Sequence, residues 1–314
     1  MIIPSPENYR PSPIFRNGHL HTIYVSRSRK VVGPQYVRER IDTPDNDFMD
    51  LDWARAGHSR IIILTHGLEG SSDRPYIRGM SNVLNANGWD AVAVNFRSCS
   101  GEPNLQPYSY HSGSSNDLKL VIEHVQKSYA QIAGIGYSLG GNVLLKYLGE
   151  QGADSKLLGG VAFSVPCDLK GSAQQLTRWD NRLYMWNFMR LLKAKVEEKA
   201  TRFPGIVDAS EFDSIKTFEE FDNRYTAPLN GFKSAEDYWA QCHSKRVLPH
   251  IKVPTLLVNA EDDPFLSDSC YPQKEAQENP HFTLEIPKYG GHVAFQQKGM
   301  YWSEQRAINF LSQF

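Results

Sequence analysis

Short apolar runs without polar interruption punctuate this chain. They are Ile61-Ile62-Ile63-Leu64, Ala91-Val92-Ala93-Val94, Ile132-Ala133-Gly134-Ile135, Gly160-Val161-Ala162-Phe163, Thr255-Leu256-Leu257-Val258 and Phe282-Thr283-Leu284-Glu285-Ile286. A strand with one wet face alternates apolar and polar residues, so runs of this kind read as strands buried on both faces. Helix-compatible segments sit between several of them, at 75–87, 116–128 and 139–149, with two more at 269–278 and 301–313. Strands alternating with helices predict an α/β fold, a mostly parallel central sheet with helices on both faces. Right-handed crossovers then bring the strands' C-terminal ends to one edge, where ligands bind in such sheets.

Three stretches stand outside this alternation. Residues 1–33 are proline-rich and read as an irregular wrap over the surface. From Gln35 to Ala54, two β-rich stretches flank Thr43-Pro44-Asp45-Asn46-Asp47, a strong turn signal, and read as an antiparallel hairpin. Between Cys167 and about Pro249 the pattern breaks for longer than a structureless loop allows, which predicts an inserted, mostly helical cap. The chain of 314 residues then reads as one domain, with its core at about 34–166 and 250–314 and a cap at about 167–249.

A net charge of −1, with Lys and Arg scattered along the chain, predicts no electrostatic footprint for nucleic acid or an anionic membrane. It suits an uncharged or weakly charged small substrate. Cys99, Cys167, Cys242 and Cys270 form no C-x-x-C pair and read as reduced thiols. The start, Met1 to Glu7, has neither a basic nor an apolar segment of the secretory kind. No apolar run reaches bilayer length. The expectation is a cytoplasmic protein without an integral membrane span.

The chemistry enters at Gly136-Tyr137-Ser138-Leu139-Gly140-Gly141. This is G-x-S-x-G between a buried strand and a helix. A serine there sits on a strained tight turn, so its neighbours at −2 and +2 must be small. The turn lifts Oγ above the sheet edge and aims a helix N-terminus at the developing negative charge. Such a strand-turn-helix serine belongs to the α/β-hydrolase fold, whose triad runs in the order Ser, acid, His.

A serine hydroxyl needs a base. Of the ten histidines, only His292 follows both the last apolar run and a flexible Gly290-Gly291 pair. The acid lies in Asn259-Ala260-Glu261-Asp262-Asp263-Pro264-Phe265, after a late strand. Asp263-Pro264-Phe265 matches the usual frame of acid, Pro or polar, then apolar. Asp262 misses it by one and remains the alternative, with Glu261 third. The carboxylate not used is expected to be solvated or to hold the loop through backbone N–H groups. The oxyanion donors are expected to be the N–H of Leu139, after the nucleophile, and of Leu68, in the loop Thr65-His66-Gly67-Leu68-Glu69-Gly70. His66 reads as structural.

Other features have plainer readings. His19 and His21 lack the carboxylates or thiols that would complete a metal site, and none is expected. Cys99 lacks a base. Asp117 reads as helix-starting. Met185, Met189, Leu192 and Val196 form a helical stripe that suits plain core or an acyl pocket.

Together these strings resemble the YheT-like α/β-hydrolases. The carriers are Gly18-His19-Leu20-His21-Thr22-Ile23, His66-Gly67-Leu68-Glu69-Gly70-Ser71-Ser72, Asn95-Phe96-Arg97-Ser98-Cys99-Ser100-Gly101, Gly136 to Asn142, Asp262-Asp263-Pro264-Phe265 and Gly290-Gly291-His292. The resemblance implies a carboxylic ester hydrolase with a Ser138, Asp263 and His292 triad and no cofactor. Its substrates would be short- or medium-chain esters, acylglycerols or phospholipids, some members transferring the acyl group to an alcohol; an acyltransferase using an alcohol or thiol is the alternative reading. A low-turnover binding protein on the same fold is the reading from another class. Ser98-Cys99-Ser100 and His21 depart from the family's usual glycine-rich run and Gln, and leave the triad untouched.

Overall fold

The computed structural model of the chain describes residues 1–3 and 9–314; residues 4–8, within the expected N-terminal wrap, lie outside the described residues. One nine-stranded sheet contains β1 (Ile2–Ile3), β2 (Val37–Thr43), β3 (Asp47–Ala54), β4 (Arg60–Thr65) and β5 (Asp90–Asn95). It continues with β6 (Gln131–Tyr137), β7 (Gly160–Phe163), β8 (Thr255–Val258) and β9 (Phe282–Glu285). Across the sheet the order is β1-β9-β8-β7-β6-β4-β5-β3-β2. The strands from β4 to β9, and β1, pair in parallel, while β3 is antiparallel to β2 and β5. The mostly parallel α/β architecture matches the expectation from the apolar runs, and the β2–β3 hairpin closes at the Thr43–Asp47 pair.

The unbroken apolar runs have a direct cause. Ile61 and Ile63 point into the core on one face of the sheet, Ile62 and Leu64 into the core on the other. Each such side chain contributes about 1.5–3 kcal/mol when fully buried. A polar residue at any of these positions would forfeit that and add a desolvation cost.

The helices in chain order are α1 (Gly18–Ser28), α2 (Pro75–Ala86), α3 (Ser115–Val125) and α4 (Leu139–Gln151). Then come α5 (Leu169–Leu176), α6 (Arg182–Arg202), α7 (Phe218–Phe221), α8 (Ala227–Leu229), α9 (Ala235–Cys242), α10 (Gln273–Glu278) and α11 (Trp302–Leu311). Helices α2 and α11 pack on one face of the sheet; α3, α4 and α10 pack on the other. Helices α5 to α9 all lie between β7 and β8, with a π-helical turn at Asp222–Thr226. They share apolar clusters of their own, one of which takes in Phe265 from the loop after β8. Among the described residues no helix is long and apolar enough to cross a membrane.

Two expectations fail. The supposedly irregular N-terminal stretch contains α1, capped by Asn17, whose side chain accepts from Leu20 N–H at 3.0 Å. Its buried face is Gly18, His21, Thr22 and Val25, too polar to show as an apolar period. The helix expected at 269–278 is cut by Pro272 into a 3₁₀ turn at Asp268–Cys270 and the short α10, because proline ends the geometry before it.

Strand β4 lies between β5 and β6, so the connection from β5 to β6 crosses over β4 and reverses the direction of travel. That reversal is where α/β sheets open a binding crevice. Thr65 pairs with Gly136 across it, so the loops after β4 and β6 leave the same edge side by side.

Candidate active site

Ser138 occupies the turn between β6 and α4 with φ 52° and ψ −121°, a conformation that costs a side-chain-bearing residue energy and persists only when its surroundings impose it. The flanking glycines show how tightly. A Cβ on Gly136 would lie 2.6 Å from Gly141 Cα, and one on Gly140 would lie 2.5 Å from the His66 carbonyl oxygen. Ser138 N–H donates to the Phe163 carbonyl at 2.9 Å and Asn142 N–H to the Ser138 carbonyl at 3.0 Å, fixing the turn on both sides.

His292 comes to this serine from the loop after β9. Its Nε2 lies 2.9 Å from Ser138 Oγ, and its Nδ1 lies 2.9 and 3.1 Å from the two Asp263 oxygens. With Nδ1–H donating to Asp263, Nε2 is free to accept the serine proton. The Asp263 side chain is fully buried, and Oδ1 also accepts Phe265 N–H at 2.9 Å. Asp262, one residue earlier, points elsewhere: its Oδ1 accepts Gly291 N–H at 2.9 Å. Burial, augmented by the Asp263 charge, pushes its pKa up to about 6. Of the two fates expected for the unused carboxylate, holding the loop is the one seen. Glu261 is exposed and outside this arrangement.

The histidine loop has further supports that the sequence reading did not assign. His292 N–H donates to Thr22 Oγ1 at 2.8 Å, and that hydroxyl donates to the Gly18 carbonyl at 2.7 Å. Val293 N–H donates to Ser164 Oγ at 2.8 Å. The string Gly18 to Ile23 had already stood out by resemblance; the asparagine N-cap in front of it was the local signal for its helix.

On the opposite side, the loop after β4 passes close to Ser138. A Cβ on Gly67 would sit 3.1 Å from Ser138 Cβ. His66, fully buried, holds the loop's shape: Nδ1–H donates to the Gly67 carbonyl at 2.7 Å and Nε2 accepts Phe96 N–H at 3.3 Å. Burial lowers its pKa to about 3, so it stays neutral and structural. Gly67 and Glu69 N–H donate to the hydroxyls of Tyr76 and Tyr110. Among the described residues the Leu68 N–H between them makes no hydrogen bond. Leu139 is the first residue of α4, so its N–H has no acceptor within the helix.

The chain matches the α/β-hydrolase fold family over residues 60–298. It is 34% identical to the YheT protein of Escherichia coli (strain K12), over 93% of this chain and 88% of that one. This chain belongs to the YheT-like α/β-hydrolases. It is also 32% identical to the mouse phospholipase ABHD3, over 83% of this chain and 66% of that one. The Pyrococcus furiosus esterase Pf2001 superposes with a TM-score of 0.62 at 19% identity, covering 91% of this chain and 98% of that one, a likeness of fold.

In this YheT-like hydrolase a cavity of about 170 Å³ opens at Ser138 and His292 and runs between the sheet edge and helices α5 to α9. Leu68, Leu139 and Phe265 line it near the serine; Leu192, Val196 and Phe188 of α6 line it further on. Of the apolar stripe on α6, Leu192 and Val196 therefore face the cavity, while Met185 and Met189 pack in the apolar cluster behind it. Polar groups cross the wall as well, Lys195 and Lys199 of α6 among them. Lys195 of α6 pairs with Glu69 at 3.0 Å and lies 3.2 Å from Cys99 Sγ, tying α6 to the loop that carries Leu68. Cys99 is buried, its pKa raised to about 11 by desolvation, which suits packing rather than nucleophilic work. Asp117, in the first turn of α3, forms two hydrogen bonds with Arg97. His21 Nε2 accepts Gln296 N–H at 3.0 Å and His19 stacks on Tyr184, so these two rings serve different neighbours.

Proposed function

We propose that this protein hydrolyses a carboxylic ester of modest size, with a short or medium acyl chain or an acylglycerol-like body, through an acyl-enzyme on Ser138. His292 Nε2 takes the Ser138 proton as Oγ attacks the ester carbonyl. Asp263 holds the imidazole tautomer and stabilises its charged form. The N–H groups of Leu68 and Leu139, both without an acceptor among the described residues, receive the oxyanion. His292 then returns the proton to the leaving alcohol, and a water activated by the same nitrogen releases the acid. Every step uses this chain's own groups and water.

The observation that carries this reading is the pair of contacts through one ring, Ser138 Oγ to His292 Nε2 at 2.9 Å and His292 Nδ1 to Asp263 at 2.9 Å. The apolar cavity beside the serine supports an acyl group there. Its volume is close to the roughly 150 Å³ that admits a benzene-sized guest, so a short chain enters without rearrangement. The names of relatives agree: a phospholipase at 32% identity and a yeast monoacylglycerol lipase at 27%. We further propose that residues 167–249 act as the cap of a single domain whose core is about 34–166 and 250–314.

Burst kinetics with p-nitrophenyl esters of graded chain length test the proposal. Wild type turns over, and Ser138→Ala and Asp263→Asn collapse. Acylation of wild type without release would favour a low-turnover binding protein; no acylation anywhere on the panel would remove the esterase reading.

A further inference from the structure

The start of α6 carries a surface that the ester chemistry does not use. Leu183 and Trp186, three residues apart on α6, share one stripe of helical surface, and Trp179 precedes them in the 3₁₀ turn Trp179–Asn181 that leads into the helix. Trp179, Leu183 and Trp186 are 79%, 68% and 65% exposed. This stripe is distinct from the buried one of Met185, Met189, Leu192 and Val196. Helix α1 adjoins it: the Tyr184 hydroxyl donates to the His19 carbonyl at 3.3 Å, and the two rings stack at 5.8 Å. From that side come Leu20 and Tyr24, 55% and 51% exposed. Large apolar side chains left exposed on two adjoining helices mark a candidate interaction site.

The charge around it is mostly positive. Arg178, Arg182 and Arg190 are exposed on the α6 side, and Arg16, Arg27 and Lys30 on the α1 side. Residues 169–196 contain a single acid, Asp180, which Arg178 holds at 3.5 Å; residues 9–38 contain none. In a chain of net charge −1 this is a concentration of cations. The bases look scattered along the sequence because two distant segments supply them; the fold brings those segments together.

We propose that this face docks on an anionic lipid surface, with the two tryptophans and Leu183 at headgroup depth and the arginines on lipid phosphates. Tryptophan's apolar ring and polar N–H favour the membrane–water boundary, and basic residues beside an apolar stripe bind anionic bilayers in the plane of the surface. The docked face lies next to the triad. Tyr184, between Leu183 and Met185, packs on Phe265 at 4.8 Å, and Phe265 packs on the His292 ring at 4.2 Å. Resting on the hydrolase reading, docking here would present the cavity to an ester drawn from the bilayer.

Co-sedimentation of the full chain with vesicles tests the docking without relying on catalysis. Two compositions serve, phosphatidylcholine alone and phosphatidylcholine with phosphatidylglycerol. Wild type binds the anionic vesicles, and binds less well to neutral ones or at high salt. Trp179→Ala with Trp186→Ala weakens binding about tenfold or more. Arg182→Gln with Arg190→Gln weakens it about thirtyfold on anionic vesicles alone. Both double variants keep wild-type hydrolysis of a soluble p-nitrophenyl ester. Wild type that stays in the supernatant at low salt overturns the proposal, as do variants that bind like wild type. A wild-type dimer without vesicle binding, made monomeric by the tryptophan variant, overturns it in favour of a protein partner. Vesicle binding by a wild type inert toward every ester leaves docking standing and removes the hydrolase reading instead.

Discussion

Adjacent carboxylates at 262 and 263 have opposite surroundings, and replacing each by asparagine separates their roles. Asp263 meets His292 Nδ1 with both oxygens. Asp263→Asn keeps the shape but removes the charge and favours the tautomer with the proton on Nε2, so Ser138 loses its base. The same change in a known Ser-His-Asp enzyme lowers kcat about ten-thousand-fold, and a fall of that order is expected here. Asp262 has one oxygen on Gly291 N–H and the other buried without a partner among the described residues. Burial raises its pKa from 3.8 to about 6. The folded chain therefore keeps this proton to higher pH than the unfolded chain, which releases it first. Stability falls as pH rises from about 4 to about 6, by about 3 kcal/mol for a shift of about two units. Asp262→Asn removes that titration. Whatever constant cost the amide brings, the variant's stability relative to wild type should rise by about 3 kcal/mol between about pH 4 and pH 7. Urea unfolding of both proteins across that range measures it. A difference independent of pH, or one of opposite sign, would refute the reasoning. Loss of activity in Asp262→Asn with Asp263→Asn still active would move the acid to Asp262.

Three further outcomes are expected. Gly136→Ala would set its Cβ 2.6 Å from Gly141 Cα and 2.7 Å from the Gly140 carbonyl oxygen; the turn cannot yield, and thermal unfolding should show a loss of about 3 kcal/mol or more. Thr22→Val leaves the His292 N–H without its acceptor, a cost of about 1–3 kcal/mol. Steady-state kinetics should show it in kcat, with KM nearly unchanged. Leu192→Ala enlarges the cavity wall and should move the preferred p-nitrophenyl ester toward longer acyl chains; an unchanged preference would place the acyl group elsewhere.

The central sheet was legible because strands buried on both faces have no polar positions, and because the elbow at Ser138 demands glycine at fixed offsets. Once the elbow was placed, chain order pointed to His292, and the Pro264-Phe265 frame to Asp263 over Asp262, as the groups that meet Ser138 in the fold. What stayed hidden has physical reasons. Helix α1 packs on the histidine loop through Gly18, His21 and Thr22, polar contacts that leave no apolar period to read. The pairing of β1 with β9 rests on Ile2 and Ile3, too short a strand to recognise. Thr22, Ser164 and Asp262 support His292 from three separate segments, and only folding brings them together. The cationic face beside Trp179 and Trp186 was invisible for the same reason.

Intact-mass analysis after treatment with a fluorophosphonate ester tests the nucleophile most directly. The account predicts a single adduct on wild type that maps to Ser138, none on Ser138→Ala, and labelling slowed by about a thousandfold in His292→Ala. An adduct on any other residue, or a Ser138→Ala protein that labels like wild type, would contradict it.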